Sequence, residues 1–146
     1  GEPRSQARKT DVVYIALGSN LGNREVAVEK ARAAIARIRE RRITSQTAVE
    51  ETVPVGPIPQ GNFLNQIVAV ATELPPRTLL AALHRIERAA GRVRTIKWGP
   101  RILDLDIVMI EGKEYQDEAL IIPHPELPNR DFWQRQLTEL RGEPNA

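Results

Sequence analysis

The chain has 146 residues, a formal net charge of +2 and a hydrophobic content of 41%. That length matches one domain, and the absence of cysteine excludes a disulfide framework and a thiolate metal site. The sequence contains no run of about 18 apolar residues, which a membrane helix needs, and its polar start lacks the apolar stretch of a secretory signal. We therefore expect a cytoplasmic protein with a disordered tail over 1–10 and one domain over 11–146.

The first half of the domain reads as a strand followed by a helix. Val12 to Leu17 is a short apolar run that predicts a buried strand, and turn-forming residues follow it. Asn23 can cap the next helix, in which small apolar side chains recur at helical spacing: Ala27, Ala31, Ala34, Ile35 and Ile38. Four arginines are expected at the end of that helix, where the macrodipole favours cations: Arg37, Arg39, Arg41 and Arg42.

The remaining elements complete an α+β pattern. An extended segment over 43–53 and a proline-rich loop over 54–61 precede a strand over 63–72. Pro76 opens a second helix that Gly91 ends, and another strand covers 103–110, with a last helix before Leu140. The βαββαβ order predicts a single-domain ferredoxin-like α/β sandwich with a mainly antiparallel sheet.

The motif with the clearest chemistry is a pair of aspartates inside an apolar strand. Alternate residues of a strand share a face, so Asp104 and Asp106 project together while the apolar residues face the core: Leu103, Leu105, Ile107 and Met109. Two carboxylates about 7 Å apart repel each other unless a cation lies between them, and Mg²⁺ often binds one or two carboxylates plus substrate phosphates. The alternative is an exposed sheet face on which both acids pair with arginines.

A cluster of basic residues precedes the two aspartates. Six of them lie between 85 and 101: Arg85, Arg88, Arg92, Arg94, Lys97 and Arg101. Arginine binds phosphate oxygens in bidentate fashion, although a solvated basic face or a nucleic-acid surface would have the same composition. Trp98 either packs on the sheet or closes over a flat heterocycle. A loop with these side chains suits closure over a polyphosphate.

Other polar residues admit two interpretations each. Asn65 is a hydrogen-bonded sheet residue or an amide that recognises a ring. His84 and Glu87 are a surface pair or part of a binding site, and His124 has no second ligand at zinc spacing. The sequence lacks a P-loop, a nucleophile elbow and a cysteine nucleophile. Metal-assisted group transfer is the chemistry that remains.

These motifs together resemble the 6-hydroxymethyl-7,8-dihydropterin pyrophosphokinase family. The resemblance rests mainly on Gly91-Arg92-Val93-Arg94 and on the run from Trp98 to Ile107, WGPRILDLDI. Weaker matches occur in the right order: the run from Tyr14 to Gly22, Phe63-Leu64-Asn65, Ile122-Pro123-His124 and Asn129-Arg130. Membership implies transfer of pyrophosphate from ATP to the pterin hydroxymethyl group, with two Mg²⁺ ions, in folate synthesis. The resemblance to this family extends over about residues 12–132.

The resemblance assigns roles residue by residue. It implies that Asp104 and Asp106 are metal ligands and that Arg92 and Arg101 stabilise the transferring group. It implies an ATP side formed by His84, Glu87, Arg94, Lys97, Trp98, Ile107, His124 and Arg130. It implies a pterin side formed by Thr52, Val53, Val55, Phe63, Asn65, Trp98 and Phe132.

Some positions depart from the family pattern. Lys97 stands where arginine is common, and His84 stands where glutamine is frequent. Ala119, Ile121 and Pro125 occupy positions where arginine, threonine and tyrosine are familiar. The segment after Phe132 is more polar than in the family. These departures concern the affinity for the nucleotide rather than the class of reaction.

Two alternatives belong to other functional classes. A ferredoxin-like sheet can bind single-stranded RNA through exposed aromatic residues, but only 4% of this chain is aromatic and two acids lie on the face in question. An inactive relative would be expected to lack some of the catalytic residues, all of which are present. We therefore expect a monomeric enzyme whose partners are ATP and a reduced pterin, without binding to nucleic acid or membranes.

Overall fold

The structure is a computed structural model that describes residues 9–39, 41–91 and 100–142. Its strands are β1 (Asp11–Ser19), β2 (Arg41–Gln46), β3 (Glu50–Thr52), β4 (Phe63–Thr72), β5 (Asp104–Ile110), β6 (Tyr115–Gln116) and β7 (Ile121–Ile122). Its helices are α1 (Arg24–Ile35), α2 (Pro76–Ala89) and α3 (Asp131–Arg141), with a 3-10 turn over Leu127–Asn129. No helix among the described residues is long and apolar enough to cross a membrane. The predicted tail over 1–10 falls almost wholly outside the described residues.

The main sheet is antiparallel and has β1 at its centre. β1 pairs with β4 on one side and with β5 on the other, and β2 and β3 both pair with the far edge of β4. The order β2-β4-β1-β5, with helices after β1 and β4, is the predicted ferredoxin-like pattern. Because β1 is antiparallel to both neighbours, the end of β1 lies beside the beginnings of β4 and β5: Gly18 pairs with Asn65 and with Asp104.

One face of the sheet packs against α1 and α2. Leu79 and Leu83 of α2 are buried there, as the helical spacing predicts. Asn23 caps α1 by accepting a hydrogen bond from the Val26 amide at 3.1 Å, and Gly91 ends α2 with a φ of 91°. Both predicted helix signals are therefore confirmed.

The end of α1 differs from the sequence-based expectation. The helix stops at Ile35, so Arg41 and Arg42 do not neutralise its C-terminus but begin β2, where their backbones pair with Thr72 and Ala71. The prediction for these two arginines was wrong because pairing with an existing strand supplies their backbone hydrogen bonds. Ile38 lies beyond the helix but still packs against the core, and Val28 is buried although the predicted stripe omitted it.

The second face of the sheet packs against α3. Trp133 and Leu137 of α3 are buried in a cluster with small and apolar residues of β1, β4 and β5. Polar contacts hold the helix at both edges of the sheet. Arg135 donates to Glu50 on β3, with Nη2 2.8 Å from Oε2, and Arg141 donates two hydrogen bonds of 2.9 Å to Glu111 after β5.

A bulge in β5 changes the face on which one predicted core residue lies. The pairing of β1 with β5 shifts so that Tyr14 pairs with Met109 while Ile15 pairs with Ile107. The extra residue, Val108, breaks the alternation, so Met109 packs with Trp133 on the α3 side rather than with Leu105 and Ile107. The prediction for Met109 was wrong for this reason.

We predict that the burial of apolar side chains holds α3 on the sheet. Leu137→Ala should lower the free energy of unfolding by about 2–5 kcal/mol, because it leaves a cavity in the buried cluster. Glu139→Ala, an exposed change on the same helix, should change it by less than about 0.5 kcal/mol. Urea denaturation of both variants checks this, and equal losses would contradict it.

Candidate active site

A first cavity lies over the end of β1 and the beginnings of β4 and β5. Six of the seven residues assigned to a ring-shaped substrate line it: Thr52, Val53, Val55, Phe63, Asn65 and Phe132. Ala16 and Gly18 of β1 form its floor, and Trp133 of α3 closes one side. The sheet supplies Phe63 and the Asn65 amide, and α3 supplies Phe132 and Trp133, around a space suited to a flat ligand.

Asn65 owes its position to the absence of a side chain opposite it. Its Nδ2 donates to the Thr52 hydroxyl, and only 7% of the residue is exposed. Gly18 is its partner on β1, and a Cβ atom at Gly18 would lie 3.2 Å from Asn65 Oδ1. Glycine at this position lets the amide lie close to the floor of the first cavity.

A second cavity lies beside the first, between α2, β5 and the segment that contains β7. Residues assigned to the ATP side line it: His84, Glu87, Ile107, His124 and Arg130. Of the five positions that depart from the family pattern, four line this cavity: His84, Ala119, Ile121 and Pro125. Four residues lie on the wall between the two cavities because they line both: Arg101, Asp104, Asp106 and Arg130.

Four predicted site residues fall outside the described part of the chain. They are Arg92, Arg94, Lys97 and Trp98, all within 92–99. Their assignments remain predictions. The described chain ends at Gly91, after α2, and begins again at Pro100, next to Arg101.

Glu87 lies at the back of the second cavity and supports β5. It is 4% exposed, and its Oε2 accepts a hydrogen bond of 2.7 Å from the Leu105 amide. Leu105 stands between the two aspartates, so this contact fixes the backbone that projects them. The sequence placed Glu87 on the nucleotide side but gave no sign of the backbone contact.

His124, Arg130 and Trp133 form one contiguous group beside Asp106. The Glu126 amide donates to His124 Nδ1 at 3.0 Å, so the neutral ring carries its proton on Nε2, 3.5 Å from Asp106 Oδ1. The His124 ring meets Trp133 edge-on at 5.1 Å, and the Arg130 guanidinium lies 4.4 Å from the Trp133 ring centroid. Trp133 was missed by sequence reasoning because a buried helical tryptophan is usually part of a core.

A hairpin of β6 and β7 forms the outer rim of the second cavity. Asp117 organises it by accepting hydrogen bonds from the Tyr115 hydroxyl, from Arg77 at 2.9 Å and from the Ala119 amide at 2.8 Å. The Tyr115 hydrogen bond, followed by those from Ala119 and Arg77, lowers the pKa of Asp117 to about 2. The carboxylate is therefore charged at any physiological pH and keeps the rim in place.

The donor set at the wall between the cavities fits a hard cation. Asp104 and Asp106 offer carboxylate oxygens from one face of β5, and both line the two cavities. Among the described residues there is no group of three or more side chains able to hold a metal ion. Two carboxylates completed by water and substrate phosphates are a common environment of Mg²⁺.

Comparison with known proteins identifies the family of this chain. The fold and the site together are those of an α+β domain with two neighbouring cavities. A pair of carboxylates separates a smaller cavity, framed by aromatic rings, from a larger polar one. The family model described as 7,8-dihydro-6-hydroxymethylpterin-pyrophosphokinase (HPPK) matches residues 14–142. The chain belongs to this family.

Two individual relatives are also described as pyrophosphokinases. The 2-amino-4-hydroxy-6-hydroxymethyldihydropteridine pyrophosphokinase of Bacillus subtilis is 39% identical over 130 residues, covering 89% of this chain and 78% of the relative. That of Methylorubrum extorquens is 39% identical over 127 residues, covering 87% and 80%. A solved Plasmodium falciparum HPPK-DHPS with pteroate aligns with a TM-score of 0.54 at 16% identity, over 72% of this chain and 28% of that one. That last likeness shows the fold alone.

We predict that a methyl group at Gly18 weakens binding in the first cavity. Gly18→Ala should push Asn65 away by a few tenths of an ångström and weaken binding of 6-hydroxymethyl-7,8-dihydropterin by about tenfold, the cost of about one hydrogen bond. Gly61→Ala is the control, because its Cβ would meet Asn20 O at an ordinary 3.7 Å. Calorimetric titration of both variants checks this. Unchanged pterin affinity in Gly18→Ala would contradict it.

We predict that Asp117 stabilises the protein in a pH-dependent way. Its folded pKa of about 2 lies below the ordinary 3.8, so its contribution is present above pH 3.8 and is lost as the pH falls towards 2. Asp117→Asn should therefore be less stable than the parent at pH 6, with a difference that shrinks towards pH 2. Thermal unfolding across this range, with Glu118→Gln as the control, measures it. A difference independent of pH would contradict the assignment.

Proposed function

We propose that this chain transfers the pyrophosphoryl group of ATP to the hydroxymethyl oxygen of 6-hydroxymethyl-7,8-dihydropterin, in a reaction that requires Mg²⁺. The hydroxymethyl oxygen forms a bond to the β-phosphorus, the bond between that phosphorus and the α,β-bridging oxygen breaks, and AMP leaves with the bridging oxygen. The hydroxyl proton goes to solvent. The products are AMP and the pterin diphosphate, an intermediate of folate synthesis.

The observation that carries this proposal is the position of the aspartates. Asp104 and Asp106 lie between a cavity framed by Asn65 and aromatic rings and a cavity lined by polar residues. A pterin in the first cavity would direct its hydroxymethyl group at this wall, and a triphosphate from the second would reach the same place. Alignment of two substrates at one charged wall is what an in-line transfer needs from a protein.

Asp104 and Asp106 are the residues that would hold Mg²⁺. When bound there, the metal would neutralise charge on the phosphate oxygens. The same two carboxylates would otherwise repel the triphosphate, so their place at the junction suits a cation-dependent enzyme better than a binding surface. For the same reason single-stranded RNA is a poorer candidate ligand than a metal-bound nucleotide.

Basic side chains at the wall complete the site. Arg101 and Arg130 line both cavities, and Arg130 is oriented by its contact with the Trp133 ring. Guanidinium groups bind phosphate oxygens in planar, bidentate geometry. Arg101 would stabilise the transferring group together with Arg92, and Arg130 would bind ATP. Arg94 and Lys97 would help to hold the triphosphate, and Trp98 would help to close the site over the substrates. We further propose a monomeric, cytoplasmic enzyme.

The products of the reaction test this proposal directly. Incubation with Mg²⁺, ATP and 6-hydroxymethyl-7,8-dihydropterin, followed by separation of the nucleotides, should give AMP that depends on the pterin. ADP in place of AMP would mean transfer of a single phosphoryl group and would contradict the proposal. Omission of Mg²⁺ should abolish AMP formation. Full activity in the presence of a metal chelator would contradict the requirement for Mg²⁺.

We predict that the carboxylate pair is required for turnover and not for folding. Asp104→Ala should lower AMP formation at least about a hundredfold, the scale of losing a major electrostatic contact with the transition state, while thermal stability stays near that of the parent. Asp11→Ala is the control, because it removes a carboxylate that pairs with Lys113 at the far end of β1. Comparable activity in Asp104→Ala and Asp11→Ala would contradict the assigned role.

A further inference from the structure

A third cavity, the α1–α2 groove, lies between the two helices that share one face of the sheet. It is lined by one side of the stretch 23–38, which contains α1, by one side of 82–90 in and after α2, and by Ile102 and Leu103. It shares no described lining residue with either of the two substrate-sized cavities. Its volume of about 590 Å³ falls within the range of about 300–1,000 Å³ that is typical of small-molecule sites.

Small side chains keep the α1–α2 groove open. Its lining includes six alanines at helical spacing on the two facing stretches: Ala27, Ala31, Ala34, Ala82, Ala89 and Ala90. Because alanine ends at a methyl group, these two stripes do not fill the space between the helices. Val26 and Ile86 add larger apolar surface beside them, and Val26 is 40% exposed. A ligand that covers this surface removes apolar area from water, which favours binding.

The charges around this groove are all positive. Lys30, Arg37 and Arg85 line it and are exposed, and none of its described lining residues is an aspartate or a glutamate. Within the described part of the chain, none of these three side chains takes part in a salt bridge. An anion that reaches the rim of the groove therefore does not compete with a carboxylate that is already bound there.

Charge also decides which occupant fits. A second copy docked through the same groove would bring the three cations of one protomer against the three of the other. The sequence of residues 92–99 has three cations and no acid, so this segment would add to the positive charge. Inorganic phosphate and nucleotides would meet the cations but would leave the apolar floor uncovered. A small molecule with an apolar body and one anionic group fits both features of the groove.

We propose that the α1–α2 groove binds a small amphipathic anion, in which an aromatic or alkyl body carries one carboxylate or sulfonate group. The body covers the alanine stripes, and the exposed cations, two of which are planar guanidinium groups, hold the anionic group at the rim. Ile102 and Leu103 belong to the segment between Arg101 and Asp104, so the groove borders the part of the chain that forms the wall of the substrate cavities. The site does not depend on the proposed function, because its described residues are separate from those assigned to ATP and the pterin.

Fluorescence titration with 8-anilinonaphthalene-1-sulfonate (ANS) tests the proposal, because this probe has an aromatic body and one sulfonate group. ANS should bind the parent protein at a saturable site and should bind more tightly than its uncharged counterpart, N-phenyl-1-naphthylamine. It should stay bound when a non-hydrolysable ATP analogue, Mg²⁺ and 6-hydroxymethyl-7,8-dihydropterin are added, and when inorganic phosphate is added. Absence of saturable binding, or displacement of ANS by the substrates, would overturn the proposal.

Matched substitutions locate the bound probe. Ala34→Leu fills the groove and should weaken ANS binding at least about tenfold, whereas Ala33→Leu changes an exposed neighbour that does not line the groove and should leave it unchanged. Arg85→Gln should weaken ANS binding up to about fivefold, the scale of one exposed charge contact, without affecting the uncharged counterpart. Arg88→Gln, an exposed change on the same helix outside the groove, is its control. Equal effects within either pair would overturn the proposal.

Nuclear magnetic resonance of the parent protein measures the same binding without any substitution. Addition of ANS to the ¹⁵N-labelled protein should shift the amide signals of residues 23–38 and 82–90 and that of Ile102, and should leave those of α3 unchanged. Shifts confined to residues that line the two substrate-sized cavities would overturn the proposal. A dimer that ANS dissociates, detected by analytical ultracentrifugation, would also overturn it, because the groove would then belong to a contact between two copies of the chain.

Discussion

The packing of α3 across one half of a sheet face is the constraint on which the site depends. The helix runs from the edge formed by β3 to the edge beyond β5, and its buried residues Trp133 and Leu137 cover the end of the sheet near Tyr14. Exposed ion pairs contribute about 0.2–1 kcal/mol each, so burial of these side chains supplies most of the attachment. The other end of the same face becomes the floor of the first cavity.

This arrangement explains why substrate-sized cavities and a carboxylate pair meet. Because β1 is antiparallel to β4 and β5, its end at Gly18 lies between Asn65 and Asp104. These two strand pairings place the amide assigned to the pterin and an aspartate assigned to the metal on either side of Gly18. Trp133 links the packing of α3 to the site, since it is buried in the cluster beneath α3, lies under the Arg130 guanidinium and meets the His124 ring edge-on.

Local sequence signals predicted most elements, and the family resemblance supplied the site residues. Distant contacts account for what both missed. The ends of β4 follow from the turn-forming residues around an apolar run, and the cap of α1 follows from the side-chain chemistry of Asn23. The shared face of Asp104 and Asp106 follows from the alternation of side chains along a strand. The bulge at Val108 arises from the register with β1 and has no local signal. Glu87 lies 18 residues from its partner Leu105, so no spacing rule reveals that contact.

The most direct test of this account is a crystal structure with the pterin, a non-hydrolysable ATP analogue and Mn²⁺ in place of Mg²⁺. The account predicts anomalous density for the metal at Asp104 and Asp106, with the pterin against Asn65 and the nucleotide on the side of His84 and His124. Metal bound elsewhere, or both substrates in one cavity, would contradict it.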